Sequence, residues 1–240
     1  MHGGLLEMEV LPDEGAVALR AARVIAAEAR AAVAARGRFA LAVSGGRTPW
    51  RMVRALAEEE VPWSRVHLFQ VDERVAPVAD PDRNLTHLRE NLLARVALPP
   101  AQFHPMPVEQ ADLAAAASAY ARDLEAVAGS PPVLDVVHLG LGADGHTASL
   151  LPGDPALEVA DADVALAGPY QGRRRMTLTY PVLDRARLVL WVVTGGEKAG
   201  ALALLRAGDR SVPAGRVRAV RVLLVADAAA AGPLSRGPRA

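Results

Sequence analysis

The feature that most constrains this chain is a recurring unit: a short, largely apolar run, then a turn, then a stretch of helical character. FALAV at residues 39–43, VHLFQV at 66–71, the run at 134–139, LVLWVV at 188–193 and the run at 220–225 follow that plan. Strands with so little polar face have to be buried on both sides, and parallel sheets covered by helices are where such strands occur. The intervening segments predict helices over 13–36, 50–60, 84–96, 109–128 and 197–207, with shorter strands at 7–11 and 103–106. Asp13 is placed to cap the first helix and Gly37 to end it. Strands alternating with helices predict an α/β fold: a doubly wound, mainly parallel sheet with helices on both faces, related to the Rossmann architecture. Residues 155–172 show no clear period and read as a long surface loop, 173–180 alternates like a strand with one polar face, and the tail at 226–240 reads as frayed.

In such sheets ligands gather beyond the carboxyl ends of the strands, so the turns after the apolar runs are where chemistry is expected. After FALAV come Ser44, Gly45, Gly46, Arg47 and Thr48, with Thr48 suited to an N-cap and Pro49 to the first helical position. Glycines and hydroxyls at a strand-to-helix turn expose N–H groups where the helix dipole is positive, an arrangement that holds phosphate. After VHLFQV come Asp72, Glu73 and Arg74; three charges there are costly to bury unpaired, so they are expected to line a polar cleft. After LVLWVV come Thr194, Gly195, Gly196, Glu197 and Lys198, repeating the glycine pair and helix start. In a chain that otherwise uses arginine, its single lysine suggests a compact point charge.

The central turn is LGLGADGHTASLLPG at 139–153, with His146 preceded by Asp144 and followed by Thr147 and Ser149. Gly140, Gly142 and Gly145 also satisfy G-x-G-x-x-G, but a dinucleotide site needs a full helix after the turn, and Pro152 and Gly153 interrupt any helix begun at 147–151. An ordinary turn with a structural histidine is the competing reading of this segment alone. For Arg173, Arg174 and Arg175 the residues leave two readings open, contact with a phosphate or plain solvation. His138 within its strand reads as a packed, hydrogen-bonded histidine.

At 240 residues with 51% hydrophobic content, the chain is expected to form one domain over 1–240 with a sizeable core. Its 27 basic and 27 acidic residues cancel, so no long-range field draws it to nucleic acid or anionic lipid, and any anion must be held locally. The absence of cysteine excludes disulfides and thiolate chemistry and fits a reducing compartment. Neither a signal peptide nor a membrane span is read from the sequence, so the expected location is cytoplasmic.

Four stretches together carry a family resemblance: SGGRTP at 44–49, VDERVAP at 71–77, LGLGADGHTASLLPG at 139–153, and RMTLTYPVLDRAR with VTGGEKA over 175–199. In that order, over roughly residues 10–225, the chain resembles the 6-phosphogluconolactonases. The resemblance implies the NagB-like fold and hydrolysis of 6-phosphoglucono-1,5-lactone in the pentose phosphate pathway, with no metal or organic cofactor. It implies His146 as the catalytic histidine, and Ser44, Gly45, Gly46, Arg47, Thr48, Arg74 and Lys198 around the phosphate and substrate. Two departures stand out: Arg83 precedes Asn84 where the family commonly has Ser-Asn, and Arg221, Val222 and Leu223 replace a C-terminal tryptophan pattern.

The residue chemistry fits that expectation. Opening a lactone needs a base for the attacking water and a proton for the departing ring oxygen, and an imidazole supplies both near neutral pH. Either Asp144 or Asp72 would orient His146, and N–H groups of the turn, Gly145 included, would face the developing oxyanion. A glucosamine-6-phosphate deaminase is the nearest rival, but its pattern has DEY in place of Asp72, Glu73 and Arg74, and Phe-Asn-Glu-Pro-Gly in place of residues 149–153. A non-catalytic sugar-phosphate sensor is a second rival, without a DNA-binding segment to serve.

Overall fold

The computed structural model describes residues 5–232. In chain order the strands are β1 (Leu5–Leu11), β2 (Phe39–Val43), β3 (Val66–Gln70), β4 (Asp72–Arg74), β5 (Phe103–His104), β6 (Val136–Leu139), β7 (Val164–Tyr170), β8 (Arg173–Leu178), β9 (Val189–Val193) and β10 (Arg221–Asp227). The α-helices are α1 (Glu14–Arg36), α2 (Arg47–Ala57), α3 (Asn84–Leu88), α4 (Leu113–Ala128), α5 (Tyr180–Arg185), α6 (Ala199–Ala207) and α7 (Ala228–Ala231). Seven strands form one sheet in the order β1-β10-β9-β6-β2-β3-β5, and every pair in it is parallel. No helix among the described residues is long and apolar enough to cross a membrane.

Alternation along the central strands explains why both faces must be covered. On β2, Leu41 and Val43 join Val17 and Ile25 of α1 and Met52 and Leu56 of α2 in one core layer. Ala40 and Ala42 face the other way and share a second layer with Tyr120 and Leu124 of α4 and Leu202 and Leu205 of α6. Strands β2 and β9 are buried along their whole length, as expected of strands enclosed on both faces. Helix α1 has the predicted ends: the Asp13 carboxylate accepts the Ala16 N–H, and Gly37 closes it at φ 73°.

Several expectations need correction. Residues 155–172 are not a structureless loop: they hold a 3₁₀ turn at Pro155–Glu158 and strand β7. With β4 and β8, β7 builds a second, antiparallel sheet in the order β4-β8-β7. Thr48 is not a cap; Gly46 occupies that position without a side-chain bond, and Thr48 Oγ1 instead bonds Glu14 and Thr194. The helix expected over 84–96 is α3 followed by a π-helical turn at Arg89–Leu93. The helix expected from 109 starts at Leu113, where Asp112 accepts two N–H bonds. Part of the tail expected to fray is α7, while 233–240 lie outside the described residues.

Candidate active site

Four neighbouring strands, β9, β6, β2 and β3, point their carboxyl ends the same way, so the turns that follow them meet at one edge of the sheet. A cavity of about 260 Å³ opens there, and residues from each of the four strand exits line it. The sequence singles out Ser44, Gly45, Gly46, Arg47, Thr48, Asp72, Arg74, His146 and Lys198, and all of them border this cavity.

The turn after β2 is pinned from below. Ser44 donates its N–H to His138 Nδ1 at 3.2 Å and its hydroxyl to the His138 carbonyl at 3.0 Å. His138 is fully buried and burial pushes its pKa down to about 3, so it stays neutral and serves as an acceptor. At Gly45 a side chain has no room, since a Cβ would lie 2.0 Å from Asn84 Oδ1. Arg47 at the start of α2 and Lys198 just before α6 have no carboxylate partner among the described residues. Two such cations at the starts of two helices form an arrangement suited to an anion in a chain of zero net charge.

The turn after β6 carries the imidazole. Thr147 donates its hydroxyl to the Gly140 carbonyl, and the Gly142 N–H bonds the His146 carbonyl at 2.8 Å. His146 Nδ1 lies 2.6 Å from Asp144 Oδ1. A Cβ at Gly142 would fall 2.1 Å from His146 Nδ1, so glycine there is what lets the histidine fold back over its own turn. Burial alone would raise the Asp144 carboxyl, but the His146 amide and ring hold it below the usual aspartate value, and the carboxylate faces the ring as an anion. That fixes the ring proton on Nδ1 and leaves Nε2 as the basic nitrogen. No helix follows this turn; Thr147 and Leu150 form a small bridge.

Asp72 and Gly145 sit differently from what was expected. Asp72 bonds Ser149 Oγ at 2.7 Å and Asn84 Nδ2 at 3.3 Å, and Arg175 Nη1 is 3.9 Å away. The carboxylate that touches His146 is thus Asp144, not Asp72. Gly145 packs against Val212, where a Cβ would lie 2.6 Å away, and gives its carbonyl to the Ala214 N–H. It holds the turn to the chain beyond α6 and does not border the cavity.

Of the three charges after β3, only Asp72 and Arg74 face the cleft. Glu73 is fully buried on the other side, where it accepts the N–H groups of Arg74, Asn84 and Leu85, and Gln70 Nε2. Arg83, itself buried, stands 3.2 Å from it. This network fixes the loop that presents Arg74, whose Nη1 donates to Asn84 Oδ1 at 2.7 Å. The arginine cluster divides three ways: Arg173 pairs with Asp80 and Asp82, Arg174 is exposed, and Arg175 is buried at the cleft wall. Sequence reasoning missed Asn84 and Thr194 as lining residues. A hydroxyl just ahead of the Gly195–Gly196 pair is the signal that marks Thr194. Among the described residues no three His, Asp or Glu side chains are grouped to hold a metal ion.

Residues 12–225 match the family model described as glucosamine-6-phosphate isomerases/6-phosphogluconolactonase. The chain belongs to this family. A 6-phosphogluconolactonase of Nostoc sp. is 37% identical over 236 residues, covering 95% of this chain and 98% of the relative. One from Synechocystis sp. is 39% identical over 200 residues, covering 82% and 83% respectively. The crystal structure of 6-phosphogluconolactonase from Thermotoga maritima superposes with a TM-score of 0.84 at 26% identity, over 93% of this chain and all of that one. The fold shared with that structure is this mainly parallel α/β sheet.

Proposed function

We propose that the chain, acting as a single domain in the cytoplasm, hydrolyses 6-phosphoglucono-1,5-lactone to 6-phosphogluconate in the oxidative pentose phosphate pathway. The observation that carries the reading is the composition of one cleft: an Asp144–His146 pair at one turn, and unpaired Arg47 and Lys198 beside glycine-rich turns at the others. Such a cleft suits a substrate with an anion at one end and an electrophilic carbon at the other. Relatives named as 6-phosphogluconolactonases support the choice of substrate.

In this reading His146 Nε2 takes a proton from water as the water oxygen bonds the lactone carbonyl carbon. The tetrahedral adduct collapses with cleavage of the bond to the ring oxygen, which receives that proton from the imidazolium. The acid formed then ionises, so each turnover releases one proton. Asp144 holds the ring and stabilises its charged form. The turn after β2, with Arg47, and Lys198 receive the phosphate, with Arg74 at the cleft wall. A deaminase reading is less well supported, because Leu151 stands where the Phe-Asn-Glu-Pro-Gly pattern of the deaminases has its acidic residue.

The test uses lactone generated freshly from glucose 6-phosphate. Added protein is expected to remove it faster than its spontaneous hydrolysis, and no ammonia is expected from glucosamine 6-phosphate. Lactone loss at the spontaneous rate would refute the reading.

A further inference from the structure

Strands β4 and β8 are antiparallel, and Arg74 stands directly opposite Arg175. Residues opposed in this way share a face of the sheet, and like charges so placed repel. Both arginines border the cleft. Arg74 is occupied by the Asp82 carbonyl and Asn84 Oδ1. Arg175 is not: it is only 6% exposed, its Nε is buried without a hydrogen-bond partner, and its nearest carboxylate, Asp72, lies 3.9 Å away. The Asp72 oxygens are already engaged by Ser149 and Asn84. A buried guanidinium left this short of acceptors is costly unless an anion comes to it, and burial accordingly pulls its pKa down.

Tyr170 shows which end of the cleft that anion would occupy. The Arg175 guanidinium carbon sits 5.1 Å from the Tyr170 ring centre, and the same ring meets His146 edge-on at 5.4 Å. Arg175 and the imidazole thus flank one aromatic side chain; Tyr170 and Arg175 also border a neighbouring groove with Gly46 and Arg47, which Lys198, in the turn after β9, does not reach. The negative charge that appears beside the imidazole during lactone opening is on the carbonyl oxygen, and it persists in the product as carboxylate.

We propose that Arg175 is a further catalytic residue, donating hydrogen bonds to the lactone carbonyl oxygen as it gains charge and then to the product carboxylate. This rests on the lactonase reading. A planar fork suits a carboxylate, and a donor waiting in a dry site needs no rearrangement when charge develops.

The test compares two ligands that share the phosphate and differ at the other end: 6-phosphogluconate, with a carboxylate, and glucitol 6-phosphate, without one. In Arg175→Met, affinity for 6-phosphogluconate should fall at least ~10-fold while that for glucitol 6-phosphate stays within about 2-fold, and kcat should fall ~100-fold or more. Arg175→Lys keeps the buried charge and should lose less on 6-phosphogluconate, again without loss on glucitol 6-phosphate. Methylguanidine should restore part of the rate lost in Arg175→Ala, whose truncation leaves room for it. Equal losses on both ligands in both variants, or none on either, would overturn the proposal. A parent protein that leaves the lactone untouched would defeat the lactonase reading instead, and the two-ligand comparison would still report whether Arg175 meets a carboxylate.

Discussion

Replacing His138 by asparagine separates its titration from its packing. In the folded chain the ring is fully buried, its Nδ1 accepts the Ser44 N–H, and burial lowers its pKa from 6.5 to about 3. Between those values the unfolded chain binds a proton that the folded chain refuses, so stability must rise with pH across that window and fall as pH drops. At pH 5 the missing proton is worth about 2 kcal/mol, and the full penalty is reached only near pH 3. Asparagine can present its Oδ1 to the Ser44 amide but does not titrate. Its smaller volume lowers stability at every pH by a similar amount, so the informative quantity is the change between two pH values. Urea unfolding of both proteins at pH 7.5 and pH 5 measures it. The parent should lose about 2 kcal/mol more than the variant, a midpoint difference of roughly 0.7 M at a slope of about 3 kcal/mol/M. His67 and His104, whose pKa values are also lowered by burial, are present in both proteins and cancel. Equal losses in parent and variant would show that His138 takes up its proton while folded, and the reasoning from burial would fail.

His146→Ala should lower kcat at least ~100-fold with KM within a few-fold, the size of a lost general base, as read by the rate of lactone disappearance. Arg74→Ala and Lys198→Ala should each weaken binding of 6-phosphogluconate by ~1.5 to 3 kcal/mol, measured as an inhibition constant; unchanged constants in both would move the anion elsewhere. Gly142→Ala should cut kcat ~10-fold or more with a native circular dichroism spectrum, because its methyl group would occupy the space of His146 Nδ1. Arg83→Met leaves the fully buried Glu73 without its cation and should cost about 3 kcal/mol in urea unfolding. Adding Glu73→Gln should recover part of that loss.

Why some of this is visible in the sequence and some is not follows from the range of the interactions. FALAV, LVLWVV and the glycine turns after them specify their conformation within a few residues: apolar runs force enclosure, and a glycine pair marks the turn into a helix. The Asp144–His146 pair is equally local, two residues apart and clasped over Gly142, so the sequence can propose it, though it cannot choose Asp144 over Asp72. The second sheet is different in kind. β7 has alanine, glycine and proline where a strand signal would show branched or aromatic residues, and it is a strand because β8 and α4 pack against it.

That non-local sheet is also what sorts the charged residues. In β4, period-two alternation sends Asp72 and Arg74 into the cleft and Glu73 into the protein, where Arg83 and three backbone N–H groups receive it. In β8 the same alternation turns Arg174 outward and Arg175 inward, opposite Arg74. Arg174 and Arg175, identical in type, thus acquire opposite surroundings from register, and register depends on a partner strand far away in the chain. A single-residue slip of β8 would bring Arg174 into the cleft and Arg175 out to solvent. The buried salt bridge of Arg83 with Glu73 fixes β4, the strand against which β8 takes that register. Because Glu73 lies between Asp72 and Arg74 on that strand, the Arg83→Met variant should loosen 6-phosphogluconate binding as well as the fold.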